Sequence, residues 1–205
     1  MVKKEKQKKM RHAKFLLTAF AAVIFVTFTN CCGNNAEPQT EPTDDTLPTE
    51  QPTYLSAIEN YLVSEIGASY SKGDVCIPYY EVVYTDDTDT TDIRVWGDWW
   101  VDNYNIAGDT LITVSGGNHP GLFHVRKEGT RFEVIAFDQV EDGAGNAESA
   151  KRIFGEHYDE YKDGDSCGLL DEIRYETIAR YVKEHSLNVT LCKDYGWPAV
   201  VLKLE

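Results

Sequence analysis

The order of elements in this 205-residue sequence predicts an α+β fold: an N-terminal helix packed on a curved antiparallel sheet of four or more strands, then two further helices and short strands. Two observations carry that reading. Between residues 75 and 140 apolar side chains alternate with a period of two and are broken by short polar turns. Before residue 67 and after residue 145 they recur at helical spacing.

The chain starts with a basic segment, an apolar run over residues 15–28 and then Thr29-Asn30-Cys31-Cys32-Gly33. That run is shorter than the roughly 20 residues a bilayer span needs, and it fits the apolar region of a secretory signal. A cysteine directly after such a run resembles a bacterial lipoprotein signal. Residues 1–32 are therefore read as a signal peptide ending at an acylated cysteine, either Cys31 or Cys32, which anchors the protein to the cell envelope. Asn30 stands where such signals carry a small residue before Cys31, and Thr29 replaces the usual aliphatic residue ahead of Cys32, so the choice between them stays open. An uncleaved membrane anchor is the competing reading, and both place the folded part outside the cytoplasmic membrane.

Residues 33–53 contain four prolines among Thr, Glu, Asp, Asn and Gln, with Leu47 as the one large aliphatic side chain. Such a segment cannot bury enough surface to offset its ordering entropy and reads as a disordered tether. Residues 54–205 form a single domain. Seven of the 20 basic side chains but one of the 34 acidic ones precede Cys31, so the remainder carries 13 basic against 33 acidic groups, a formal charge of −20. A body this acidic repels phosphate backbones, which excludes nucleic acid as a partner. Beyond the lipidation pair lie Cys76, Cys167 and Cys192. Three thiols allow at most one disulfide, and Cys167 to Cys192 would tie two C-terminal elements together; equally, all three serve as small buried apolar groups.

Within the domain, Thr53 or Ser56 caps a helix carrying Leu55, Ile58, Leu62 and Ile66 at helical spacing. Residues 75–85 read as a strand in which Pro78 marks an edge or bulge. An acidic loop over 86–92 leads to a strand over 92–105. There Ile93, Val95, Trp99 and Val101 fall on one face, and Arg94, Trp96, Asp98, Trp100, Asp102 and Tyr104 on the other. Further strands follow at 110–114, 122–127 and 131–140. Between the first two lies Ser115-Gly116-Gly117-Asn118-His119-Pro120-Gly121-Leu122-Phe123-His124, whose glycines and proline mark a bulge or bend. Asn146 caps a helix with Ala147, Ala150, Ile153, Phe154 and Tyr158 on one side, and a third helix spans 169–184. Short strands at 187–192 and 199–204 flank the turn Tyr195-Gly196-Trp197-Pro198.

Two places offer chemistry. Trp96, Trp100 and Tyr104, interleaved with carboxylates on one face, combine flat apolar faces with hydrogen-bond acceptors, as a sugar ring requires; the competing reading has the C-terminal helices cover that face. His119 and His124 are the imidazoles of the glycine-rich stretch. No metal site follows from them, because a third ligand and an HExxH pattern are missing. The GxSxG elbow is absent, no CxxC pair occurs, and the acidic residues near 138–149 fail as a calcium loop at Val140 and Ser149. No cofactor is expected.

The helix-then-strands order over residues 54–140 resembles the cystatin-like, nuclear transport factor 2-like fold. The runs SGGNHPGLFHV, EDG at 141, KRIFGEHYDEY and DYGWPAV are similar to a family of uncharacterised lipoproteins of gut-associated anaerobic bacteria. That resemblance implies export and lipid anchoring and brings no activity with it. The expected function is a surface-anchored, non-catalytic binding or interaction module for a small molecule or glycan, with Trp96, Trp99, Trp100, Tyr104, His119 and His124 as ligand-binding candidates. The alternatives are a hydrolase or lyase pairing His119 or His124 with a carboxylate such as Asp98, and a structural envelope component presenting an apolar patch.

Overall fold

The computed structural model describes residues 53–165 and 169–204. The expected signal peptide with Cys31 and Cys32, the tether up to residue 52, and Cys167 lie outside the described residues. Cys192 is a buried free thiol and Cys76 a half-buried one. Among the described residues no helix is long and apolar enough to cross a membrane.

The fold is α+β, with a mostly antiparallel, seven-stranded open sheet. Helix α1 (Tyr54–Tyr61) starts at Thr53, whose hydroxyl accepts from the Ser56 N–H at 3.2 Å while the Ser56 hydroxyl reaches back to the Thr53 N–H. After a π turn and a 3-10 turn come strands β1 (Val75–Asp86), β2 (Ile93–Ala107), β3 (Thr110–Asn118), β4 (Gly121–Glu128) and β5 (Arg131–Gln139). Helices α2 (Asn146–Phe154), α3 (Tyr158–Asp165) and α4 (Leu169–Glu184) follow, then strands β6 (Leu191–Lys193) and β7 (Val200–Val201).

Strand β2 is the spine. One edge pairs with β1 over almost its whole length, and the other pairs with β4 at residues 93–97 and with β3 at residues 100–107. Strands β3 and β4 are thus two halves of one line opposite β2, interrupted at His119 and Pro120. Even at the break the His119 N–H donates to Trp99 O at 2.7 Å. Strand β5 extends the β4 end, while β6 joins β3 in parallel and β7 pairs antiparallel with β6. Register shifts leave one extra residue at Val83, Val114 and Ile135, and such bulges sharpen local twist.

Several expectations are corrected. The 115–124 stretch is not a connecting bend, since its first four residues are β3 and its last four are β4. Its glycines answer a packing need: a Cβ on Gly116 would overlap the Val101 carbonyl and the Asp102 carboxylate across the ladder. The helix expected to run past Tyr158 divides at Gly155, whose φ of +53° is left-handed backbone that glycine adopts at little cost. Asn146 is the first helical residue rather than the cap; Gly145 precedes it without side-chain capping, and the Ser149 hydroxyl turns back to the Gly145 and Asn146 carbonyls. The late strands contract to three and two residues.

Both sheet faces are covered along β2. On the odd face, Ile93, Val95 and Trp99 pack with Phe123, Val125 and the α1-side residues Ile58 and Leu62. On the even face, Trp96 joins Phe154, Ala150 and Tyr161 of α2 and α3. Tyr104 of that face joins Ile77, Leu111, Cys192 and the α4 residues Ile178 and Val182.

Candidate functional site

On the tryptophan strand Trp99 is wholly engaged by the fold and Trp96 and Trp100 in part. Trp99 is 0% exposed, its ring lying edge-on to Phe123 at 5.1 Å, and its indole N–H donates to Gly121 O at 3.2 Å. Trp96 is half-buried beside α2 and donates to Ile153 O at 2.8 Å. Trp100, also half-buried, stacks on Tyr79 with 15° between the planes and donates to Asp98 Oδ2 at 3.4 Å. Each indole has a polar partner, and that of Trp96 lies on α2.

Tyr104, fully buried, leads to a feature that sequence reasoning missed. Its hydroxyl and that of Tyr79 both donate to Asp102 Oδ2, at 3.1 and 3.2 Å. Arg174 of α4 lies against the same oxygen, with Nε 3.3 Å away, and binds Asp194 through two parallel bonds of 2.8 and 2.7 Å. Its Nη2 also donates to Thr113 Oγ1 at 3.2 Å. The guanidinium side chain is 11% exposed and lies near the Tyr79, Tyr104 and Tyr175 rings. Burial raises the Asp102 carboxyl above the ordinary carboxylate range, although Arg174 and the two tyrosine hydroxyls pull the other way. The hydrogen bonds from Arg174 hold Asp194 below that range. Burial pushes the neighbouring Cys192 thiol up to about 11. No local motif signals this cluster, because its members come from β1, β2, β3, α4 and the turn after β6.

The two histidines have separate surroundings. His119 Nε2 is 2.9 Å from the Tyr70 hydroxyl, and its Nδ1 is buried without a hydrogen-bond partner. Burial lowers its pKa, against smaller opposing effects of the Gln139 side chain and the Asp142 charge. His124 sits between Asp92, at 2.7 Å from Nδ1, and Asp138, at 3.6 Å from Nε2. Asp98 is bonded instead by the Asn118 amide. The carboxylates beside an imidazole are thus Asp92 and Asp138, at His124. Among the described residues no group of three or more His, Cys, Asp and Glu gathers in a way that would hold a metal ion.

His119 has a measurable consequence. Its folded-state pKa lies below the unfolded value of about 6.5, so the unfolded chain binds the extra proton and His119 contributes stability at pH above that value that is lost as pH falls through it. His119→Gln is expected to flatten the fall in melting temperature between about pH 8 and pH 5 relative to wild type. Parallel profiles for the two proteins would refute the assignment.

A concavity lies at the outer edge of β1. Among the described residues β1 pairs only with β2, and α1 and α4 rise on either side of its free edge. Between them is a groove of about 710 Å3 whose lining includes Glu59, Cys76, Tyr80, Thr177, Arg180 and Tyr181. A smaller cavity of about 200 Å3, next to Tyr79 and Ile173, shares Pro78, Tyr80, Thr177 and Arg180 with it. The Tyr80 hydroxyl donates to Glu59 at 2.7 Å. Burial and the Asp102 charge raise the Cys76 pKa, which keeps it a thiol rather than a nucleophilic thiolate. Pro78, in mid-strand, offers no N–H to an added strand. Of the expected ligand-binding residues, Trp96, Trp99, Trp100, Tyr104, His119 and His124 line neither cavity. No protein-family model, curated protein or solved structure matches the chain, so the reading of this groove rests on its own geometry.

Proposed function

We propose that the chain is an exported domain, anchored to a bacterial envelope through Cys31 or Cys32, that binds a small organic molecule in the β1-edge groove without transforming it. The observation that carries this reading is the groove itself: about 710 Å3 is within the range of small-molecule sites, which span roughly 300–1,000 Å3. Its lining mixes tyrosine rings with two carboxylates and one guanidinium: Arg180 faces Glu184 at 3.9 Å, and Glu59 is bonded by the neutral Tyr80 hydroxyl. That chemistry suits a small molecule with an apolar face that is neutral or carries an ammonium group. The protonated Cys76 thiol supports binding over covalent catalysis.

We read the architecture as a cystatin-like roll, α1 lying on the sheet. Rolls of this kind often hold a ligand between helix and sheet, but here Ile58, Leu62, Trp99 and Phe123 fill that space, and the binding surface moves to the strand edge. A melting-temperature screen of the full-length protein in detergent against free amino acids, nucleosides and monosaccharides tests the reading. A bound ligand at a hundredfold excess over Kd is expected to stabilise by about 2.7 kcal/mol. Thr177→Trp, which fills the groove, is expected to abolish the shift. A panel without any shift, or a shift that survives Thr177→Trp, would sink the proposal.

A further inference from the structure

The turn between β6 and β7 displays two aromatic rings that the fold does not use. Tyr195 is 96% exposed and Trp197 71% exposed, in contrast to the buried or half-buried Trp96, Trp99 and Trp100. Gly196 between them has a φ of +78°, a left-handed turn that glycine adopts at little cost.

The mount of this turn is rigid. The Trp197 N–H donates to Asp194 O at 3.2 Å, and the Asp194 carboxylate is held by both guanidinium nitrogens of Arg174 and by the Thr113 hydroxyl. A desolvated ion pair of this kind adds little net stability compared with an apolar replacement, and its best-attested use is to fix one geometry. Here it fixes the segment that carries the two rings. A solvent-facing indole and phenol on a fixed backbone lose little entropy on binding and dominate recognition surfaces.

We infer that Tyr195 and Trp197 form a platform for a neutral polysaccharide chain. The C–H face of a pyranose ring is apolar and its polarised hydrogens are drawn to the negative face of an aromatic ring. The adjacent exposed Lys193 supplies a donor for sugar hydroxyls. A formal charge of −20 beyond the leader disfavours anionic polymers and anionic bilayers, which leaves an uncharged polyol chain as the favoured partner. This platform is independent of the β1-edge groove, whose lining contains neither ring.

The test is titration calorimetry of the full-length protein, in a sugar-free detergent, with neutral hexasaccharides of β-glucan, α-glucan, xylan and mannan. At least one is expected to bind saturably. Tyr195→Ala and Trp197→Ala, both exposed and therefore compatible with folding, are each expected to weaken it by roughly tenfold or more. Thr177→Trp is expected to leave it unchanged. The inference is overturned if no hexasaccharide binds, if both aromatic variants bind as wild type does, or if Trp197 responds only to zwitterionic lipid vesicles, which would make the turn a membrane contact. Loss of binding in Thr177→Trp alone would return the sugar to the groove and likewise overturn it.

Discussion

Replacing Arg174 with methionine is expected to lower the unfolding free energy by about 3–5 kcal/mol, because it strands a buried charge. Methionine fills much of the same volume, so the loss is electrostatic. Asp194, on the surface side of the pair, can rehydrate, whereas Asp102 is buried beneath the Tyr79 and Tyr104 hydroxyls. The sign of the pH dependence follows. Burial already raises the folded-state pKa of Asp102, and without the guanidinium it rises further. A raised carboxyl pKa contributes stability that is full below the unfolded value and is lost as pH rises through the folded value. Arg174→Met should therefore be closer to wild type at about pH 5 than at about pH 8, and Asp102→Asn in the same chain should recover part of the loss. Urea unfolding at the two pH values reads both effects. A variant within about 1 kcal/mol of wild type at both would show that the guanidinium is not what balances the buried carboxylate.

Trp99→Ala is expected to cost a similar amount, about 3–5 kcal/mol, for a different reason. The indole is fully buried between Phe123 and Tyr80, at 5.1 Å from each ring, and close against the Gly97 backbone, so its removal opens a void that a sheet pinned on both sides cannot collapse to fill. The change also leaves the Gly121 carbonyl without the indole N–H. Trp99→Phe should lose less, because a ring still occupies the site. Trp197→Ala should fall within about 0.5 kcal/mol of wild type. Denaturation midpoints of the three variants give the order directly, and equal losses for Trp99→Ala and Trp197→Ala would contradict the burial pattern.

How much of this was legible in the sequence depends on how local the cause is. The alternation along β2 is a property of consecutive residues, and Ile93, Val95 and Trp99 share one face and Trp96 and Tyr104 the other, as written in the chain. The purpose of that alternation was not legible. Interleaved aromatics and carboxylates look the same whether they await a sugar or a covering helix, and only the placement of α2 and α4 distinguishes the two. Gly155 ends α2 through its own φ, which a glycine amid helical spacing signals only weakly. Arg174 is one basic residue on a mixed helix until the fold brings Asp102, Thr113 and Asp194 to it. The groove is likewise invisible in one dimension, because its walls, α1 and α4, are more than a hundred residues apart along the chain.

The spine arrangement of β2 bears on how the chain finds its native state. Its partners β1 and β3 are its immediate neighbours in sequence and β4 follows directly after β3, so most of the sheet closes through short-range pairings with little loop entropy to overcome. The parallel β3–β6 pair is different: the Thr113–Asp194 contact beside it joins residues 81 positions apart. Contacts of such long range are disfavoured early and rewarded only once the rest is in place. We expect the meander to assemble first and the C-terminal helix with its aromatic turn to dock last, so that the segment displaying Tyr195 and Trp197 is completed only on a sheet that has already formed.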